Sequence, residues 1–482
     1  MKIAFLDLLH TKENHIKTVP LSSGLIATYL KKNVDHEFDI KIFRDPQKIL
    51  DTLKHWVPDV VGLSQYCWNS ELNLFVAKKI KKLNPTCIVI AGGSNIEMRE
   101  IIDYCIFRDG EVIFKNIIVD LLFKNRASFF FSSRIPNLDV FGSVYETGIF
   151  DKFLDEGYHP FVQTHRGCPF SCIYCHASDP YYAKILFQSP EIFRRDLEYI
   201  AKRYPDKILY VANTNMGLFQ EDFVIVKIMK EVHDEYGFPK ELNINTGKNP
   251  KNLLKMIEIF PQIPAAIALQ TLTPKVLENI KRKNIPLYVF TDFQKVVKKK
   301  TSTELIIGLP GETKETFIET LKKVVNTGVR DMAIYTLMLL KNTPLQKLLE
   351  KHKYVVKHRI VPRQFSEIEG IKIFDTEEVL VANKDMSFDD YLELRGLAFT
   401  VQCHYCTREP ISFDEVLEVY SKIKDTKLFK DFMKETKEEL FDSKEDLEKF
   451  YEDPHNYQEL LEGKRGDNLM RKYRKLYLEV IG

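Results

Sequence analysis

His165-Arg166-Gly167-Cys168-Pro169-Phe170-Ser171-Cys172-Ile173-Tyr174-Cys175-His176 is the stretch on which the reading of this chain turns. Three of the eight cysteines fall within it, spaced CxxxCxxC. Thiolates are soft ligands, and three converging from one loop suit an iron–sulfur cluster. A closed structural zinc site takes four ligands, so the competing reading enlists His165 or His176 as the fourth. Three cysteines on a 4Fe–4S cluster leave one iron without a protein ligand, open to chelation by a small molecule. Gly167 and Pro169 flank the first cysteine and let the backbone wrap closely around a bulky inorganic core.

Working outward, the cysteines follow the first of a series of apolar runs that alternate with amphipathic ones. Strand-like runs lie at 161–164, 207–212, 242–246, 265–270, 302–308 and 332–337. Helical stretches at 190–203, 221–236, 249–257, 274–283, 314–326 and 344–351 separate them. Six such units fit an open, partial (β/α)6 barrel, whose chemistry sits in the loops at the carboxyl ends of the strands.

The same alternation fills the first 125 or so residues, with strands at 2–9, 38–43, 59–64, 87–91 and 104–107 and helices at 22–31, 46–55, 70–82 and 112–122. This is the pattern of a flavodoxin-like (Rossmann-like) parallel sheet, which binds ligands at the carboxyl ends of its strands. The loops there carry His10-Thr11, Ser64-Gln65-Tyr66-Cys67-Trp68-Asn69, Gly92-Gly93-Ser94-Asn95 and Asp109-Gly110-Glu111. Gly92-Gly93 either lets backbone approach a large planar ligand or simply makes a tight turn. The expected division is 1–125 for this α/β domain, 126–158 for a packed linker, 159–375 for the partial barrel and 376–482 for a mainly helical, charge-dense C-terminal region. In that tail Ser387 reads as a helix cap. Cys403-His404-Tyr405-Cys406 is a lone CxxC, open to packing, metal or redox readings.

A chain of 482 residues is expected to hold two or three domains. Seventy lysines and arginines nearly balance 68 acids, a formal charge of +2 that gives no strong field for nucleic acid or an anionic membrane. The run at 430–449 is a solvated helical face with matched charges. No signal-peptide or membrane-span pattern stands out, and the cysteines show no disulfide framework, so a reducing cytoplasm is the expected location.

The cysteine spacing, with Tyr174 just before the third cysteine, resembles the radical S-adenosylmethionine (SAM) superfamily. So do Gln270-Thr271 with the following Val276–Asn284 run, which is similar to "QS…VL…i.R.n", and Gly308-Leu309-Pro310-Gly311-Glu312-Thr313. The α/β domain ahead of the barrel resembles the cobalamin-binding domain of one subgroup. The resemblance implies a 4Fe–4S cluster on Cys168, Cys172 and Cys175, and SAM held by Tyr174, Asn213, Gln270, Ile306, Gly308 and Gly311. It implies cobalamin against Ser64, Gln65, Trp68, Gly92, Gly93, Ser94 and Glu111. Two departures are plain: Asn213-Thr214-Asn215 stands where the family often has Gly-Gly-Glu, and no Asp-x-His-x-x-Gly follows the first strand, so His10 is expected to be an ordinary loop histidine. The implied activity is methyl transfer to an unactivated carbon of a small molecule, with an external donor such as flavodoxin or ferredoxin. The alternatives are a radical cyclisation or rearrangement without methyl transfer, and a non-catalytic iron–sulfur electron-transfer or sensor module.

Overall fold

Strands buried on both faces pair in parallel, with a helix crossing between each pair. The computed structural model describes residues 1–10, 17–123, 134–297, 301–405, 412–465, 472–474 and 477–478. In it β1 (Lys2–Leu6), β2 (Asp39–Phe43), β3 (Val60–Ser64), β4 (Ile88–Gly92) and β5 (Tyr104–Ile106) form one parallel sheet in the order β2-β1-β3-β4-β5. Alternate side chains serve opposite layers. Ile3 and Phe5 pack under α1 (Leu21–Asn33) and α4 (Glu111–Phe123). Ala4 and Leu6 pack under α2 (Pro46–Thr52) and α3 (Ser70–Leu83). The strand order reverses at β1 and β3, which places a crevice at their carboxyl ends.

After the short α5 (Asp151–Asp155) a second series begins. It runs β6 (Phe161–Val162), β7 (His165–Arg166), β8 (Leu186–Phe187), α6 (Pro190–Arg203), β9 (Leu209–Met216), α7 (Glu221–Tyr236), β10 (Leu242–Thr246) and α8 (Pro250–Ile259). It continues with β11 (Ala265–Ala266), α9 (Pro274–Asn279), α10 (Leu287–Val296), β12 (Thr301–Ile307), α11 (Lys314–Val325) and β13 (Met332–Thr336). The orders β10-β9-β6 and β11-β12-β13 are parallel throughout. Thr246 Oγ1 donates to the Ala266 carbonyl at 2.5 Å, joining the two halves into a curved, open wall of six strands. The cysteine loop leaves β7, on the carboxyl side of the first barrel strand.

Beyond α12 (Leu349–His352) the structure corrects the sequence reading. Residues near 376, expected to open a helical region, lie instead in a long antiparallel hairpin of β14 (Val355–Ile368) and β15 (Ile371–Ala382). Glu369 and Gly370 both have positive φ, 54° and 74°, as a two-residue hairpin turn requires. Ile368 and Ile373 join the core under α2 and α3. Asp375 accepts from the backbone N–H of Glu71 (2.7 Å) and Leu72 (3.3 Å), capping α3 from more than three hundred residues away in sequence. His10 completes this contact with Nε2 2.7 Å from Asp375 Oδ2 and Nδ1 2.7 Å from Ser366 Oγ. It is a buried bridge between the first domain and the hairpin.

The remainder is helical: α13 (Phe388–Tyr405), α14 (Phe413–Ile423), α15 (Lys427–Glu438), α16 (Lys444–Glu452) and α17 (Pro454–Leu461). Ser387 Oγ accepts from the Asp390 N–H, as the cap reading expected. Cys403 is buried among Phe399, Ile423, Phe429 and Phe432, and Cys406 lies outside the described residues. Among the described residues no helix is long and apolar enough to cross a membrane.

Candidate active site

The cysteine loop is stitched down by backbone bonds on both sides. Cys168 N–H donates to the Tyr182 carbonyl (3.0 Å), Ile173 N–H to the Ile280 carbonyl (3.2 Å), and Leu345 N–H to the Ile173 carbonyl (3.0 Å). Gly167 has φ 122°, and a Cβ there would fall 2.5 Å from the Tyr182 carbonyl oxygen, so the turn into Cys168 admits no side chain. Cys168 and Cys172 are buried and Cys175 half-buried. Burial pushes the Cys175 thiol up, with the neighbouring thiols adding to the rise and Arg282 opposing it. Among the described residues no three His, Cys, Asp or Glu side chains are gathered tightly enough for a single metal ion. His165 is not a fourth ligand: its ring is buried against Asn213 and Asp222.

Asn215 and Arg282 reach toward the sulfurs. Asn215 Nδ2 lies 3.3 Å from Cys168 Sγ. Arg282 Nη1 lies 4.0 Å from Cys172 Sγ and donates to the Tyr174 hydroxyl at 3.3 Å. Lys248, after β10, sits 4.3 Å above the Phe170 ring, and its ammonium donates to the Lys283 carbonyl at 2.8 Å. Neither Lys248 nor Arg282 was singled out from the sequence for this role; Arg282 stands inside the run that resembles the family.

The residues expected to hold SAM divide. Tyr174 and Ile306 meet on one apolar cluster with Ile173, Val276 and Leu309. Gln270 is buried at the end of that wall with φ 67°, its Nε2 3.4 Å from Glu304 Oε2 and its Oε1 without a hydrogen-bond partner. Asn213 is fully occupied by protein. Its Oδ1 accepts from the N–H groups of Thr164 and His165 (3.0 and 3.2 Å), and its Nδ2 donates to Thr164 Oγ1 (2.6 Å). Asn215, two residues on, is the one that faces the cysteines. Gly308 and Gly311 close on protein as well: added Cβ atoms would lie 3.1 Å from the Leu380 carbonyl and 2.5 Å from Asn279 Nδ2. Glu312 is buried, accepting from Thr271 Oγ1 (3.0 Å) and Thr273 Oγ1 (2.9 Å). Burial raises its carboxyl to about 7 against the opposing pull of those hydroxyls.

A cavity of about 760 Å³ lies between the carboxyl edge of the first sheet and the cysteine loop. Ser64, Trp68, Gly92, Gly93, Ser94 and Glu111 from the first domain stand on its wall, as expected. Gln65 does not: its main chain pairs with Gly92 and Asn95, and a Cβ on Gly93 would strike its carbonyl at 2.3 Å. Trp68 stacks on Tyr66 at 4.4 Å and 3°, making a flat aromatic surface within the wall. The facing wall brings His176, Asp179 and Tyr182, which directly follow the third cysteine. Arg166 joins the two walls, with Nη1 2.7 Å from Glu111 Oε1 and 3.4 Å from Asp109 Oδ1. These acids hold its guanidinium charged despite burial. Glu111 Oε2 is buried with no partner, and a Cβ on Gly92 would meet only the Ile106 carbonyl oxygen, at 4.0 Å. Both suit a large ligand that carries hydrogen-bond donors.

Residues 162–324 match the radical SAM superfamily. The chain is 26% identical over 439 residues to the cobalamin-dependent radical SAM methyltransferase TokK of Streptomyces tokunonensis, covering 81% of this chain and 63% of that protein. It is 25% identical over 456 residues to the 2-(S-pantetheinyl)-carbapenam-3-carboxylate methyltransferase of Streptantibioticus cattleyicolor, covering 83% of this chain and 64% of that protein. The chain thus spans less than two thirds of the length of either relative. Its fold is similar to that of the radical SAM methyltransferase TsrM of Kitasatospora setae, solved with cobalamin and a [4Fe-4S] cluster bound: TM-score 0.58, 12% identity, 82% of this chain and 88% of that one. The three-cysteine loop and the curved βα wall thus fall within a family match: residues 162–324 are a radical SAM domain, in a chain with homology to cobalamin-dependent radical SAM methyltransferases.

Proposed function

We propose that this chain is a radical SAM methyltransferase that acts on an unactivated carbon of a small molecule, with a 4Fe–4S cluster on Cys168, Cys172 and Cys175 and cobalamin in the 760 Å³ cavity. The observation that carries the reading is that one cavity is walled on one side by Gly92, Gly93, Trp68 and Glu111 and on the other by His176, Asp179 and Tyr182, next to the cysteines. Cluster and SAM together supply a carbon-centred radical that abstracts hydrogen, and cobalamin supplies the methyl group. The chain's own residues have the remaining tasks. Tyr174 and Ile306 offer an apolar surface for the adenine, and the Gln270 carbonyl oxygen, lacking a partner, is an acceptor beside it. Trp68 and Tyr66 give a flat face to a planar ring. Glu111 accepts a hydrogen bond at Oε2 while Arg166 holds its other oxygen. Enclosure between the two domains excludes water and orients the partners. A small-molecule substrate, a low-potential flavodoxin or ferredoxin as electron donor and a cytoplasmic location complete the reading.

The test is anaerobic reconstitution of the full chain with iron, sulfide and hydroxocobalamin, followed by reductant and SAM. Deoxyadenosine and S-adenosylhomocysteine are both expected, together with corrinoid absorbance that survives gel filtration. Deoxyadenosine without retained corrinoid would turn the reading to a cobalamin-independent rearrangement. A reducible cluster that never cleaves SAM would turn it to an electron-transfer module.

A further inference from the structure

Asn213-Thr214-Asn215 and the Val276–Asn284 run, which contains Arg282, replace or match family motifs in sequence, and the structure turns a member of each onto a cysteine sulfur. Asn215 Nδ2 is 3.3 Å from Cys168 Sγ, a neutral donor on one thiol. Arg282 Nη1 is 4.0 Å from Cys172 Sγ, a full positive charge beside the second. The guanidinium is fixed in that place by three further bonds, to the Ala268 carbonyl (2.5 Å), the Tyr174 hydroxyl (3.3 Å) and Asn284 Oδ1 (3.0 Å). It is therefore a preorganised group and not a swinging surface arginine. Lys248 is the second cation. Its ammonium sits 4.3 Å above the ring of Phe170, between Cys168 and Cys172 in the loop.

One-electron reduction of a thiolate-bound cluster adds negative charge to a buried site. Burial alone disfavours that charge, whereas donors to the sulfurs and fixed cations favour it. We infer that Arg282 and Asn215, with Lys248 behind them, act as positioning residues that raise the reduction potential of the cluster on Cys168, Cys172 and Cys175, so that a donor outside the protein reduces it. The inference rests on the cluster assigned under the proposed function. The electron comes from that external low-potential donor and stays on the cluster; no proton moves and no bond is broken in the step.

The experiment uses the full chain, reconstituted anaerobically with iron and sulfide and without SAM or cobalamin. Iron and sulfide are counted, and the reduced cluster is followed by electron paramagnetic resonance during a dithionite titration. At a fixed ambient potential, Arg282→Gln is expected to lower the ratio of reduced to oxidised cluster about tenfold, which for one electron is about 59 mV. Arg282→Lys should restore most of that, and Asn215→Ala and Lys248→Met should each lower the ratio a few-fold, all with wild-type iron content. Arg282→Gln with full iron and an unmoved midpoint overturns the inference. So does failure of Arg282→Gln to load iron while Lys248→Met and Asn215→Ala load it and keep the wild-type midpoint, because the arginine is then needed only for assembly. Wild-type protein that takes up no cluster removes the proposed function and this inference with it. A wild-type cluster with unshifted variants removes the inference alone.

Discussion

Under the proposed assignment, Cys168, Cys172 and Cys175 are the cluster's thiolate ligands. Alanine at any of them would then leave an iron to recruit a weaker ligand, and each variant is expected to lose the cluster absorbance and most of its iron. Cys403→Ala, in a helical core away from the loop, is expected to keep both, and iron analysis of the four proteins checks this. Asn213 and Asn215 show how far such assignments were legible. In a regular strand they share a face, and sequence alone gives no reason to prefer one. The β9–β10 register is irregular between Ile244 and Thr246, which leaves Asn213 inside and turns Asn215 toward Cys168. Gly308 and Gly311 were legible as obligatory glycines, while the protein groups an added Cβ would meet there, Leu380 and Asn279, come from a hairpin and a helix that no local pattern connects to them.

At the scale of elements, two buried carboxyls carry testable consequences. Asp375 caps α3 and pairs with His10, so Asp375→Ala removes three charge-assisted contacts and is expected to cost about 3 kcal/mol in denaturant unfolding. His10→Ala should destabilise too, and leave corrinoid retention unchanged, since His10 faces the hairpin. Glu312 staples the turn after β12 to Thr271 and Thr273. Its carboxyl is raised by burial from 4.5 to about 7, so the stability it lends is fully present below pH 4.5 and lost as pH rises through about 7. Relative to Glu312→Gln, the wild-type protein should lose at most about 3 kcal/mol between about pH 5 and about pH 8, read from denaturation midpoints. The βα units were legible because doubly buried strands read as Val- and Ile-rich runs. The β14–β15 hairpin was not, because stretches such as Lys357-His358-Arg359 and Thr376-Glu377-Glu378 carry the charge density of an exposed helix. There the charges pair across the strands, as Arg359 does with Glu377 at 2.6 Å.

Across the whole molecule, the cavity depends on one buried ion network between its walls. Arg166→Met leaves Glu111 without its cation while Asp109 keeps Arg134 at 3.1 Å, and is expected to destabilise by about 3 kcal/mol and to weaken corrinoid retention together. Glu111→Gln then relieves part of the loss, and a double-mutant cycle in urea measures the coupling. That the two domains face each other across a shared space is a tertiary fact that motif order did not contain, although six of the seven residues expected to contact cobalamin line that cavity.

The long hairpin also bears on how the chain is made. Gln364, on β14, stands on the cavity wall, and Asp375, on β15, caps a helix of the first domain. A growing chain builds its first sheet early but keeps an uncapped α3 and a cavity lacking part of its wall until the ribosome has passed Ala382. Assembly of the centre is thereby deferred to late synthesis. A chain ended at Tyr354 should retain the βα units in circular dichroism yet be cut by protease near Ser70, whereas the full-length protein resists; equal resistance of the two would remove this consequence.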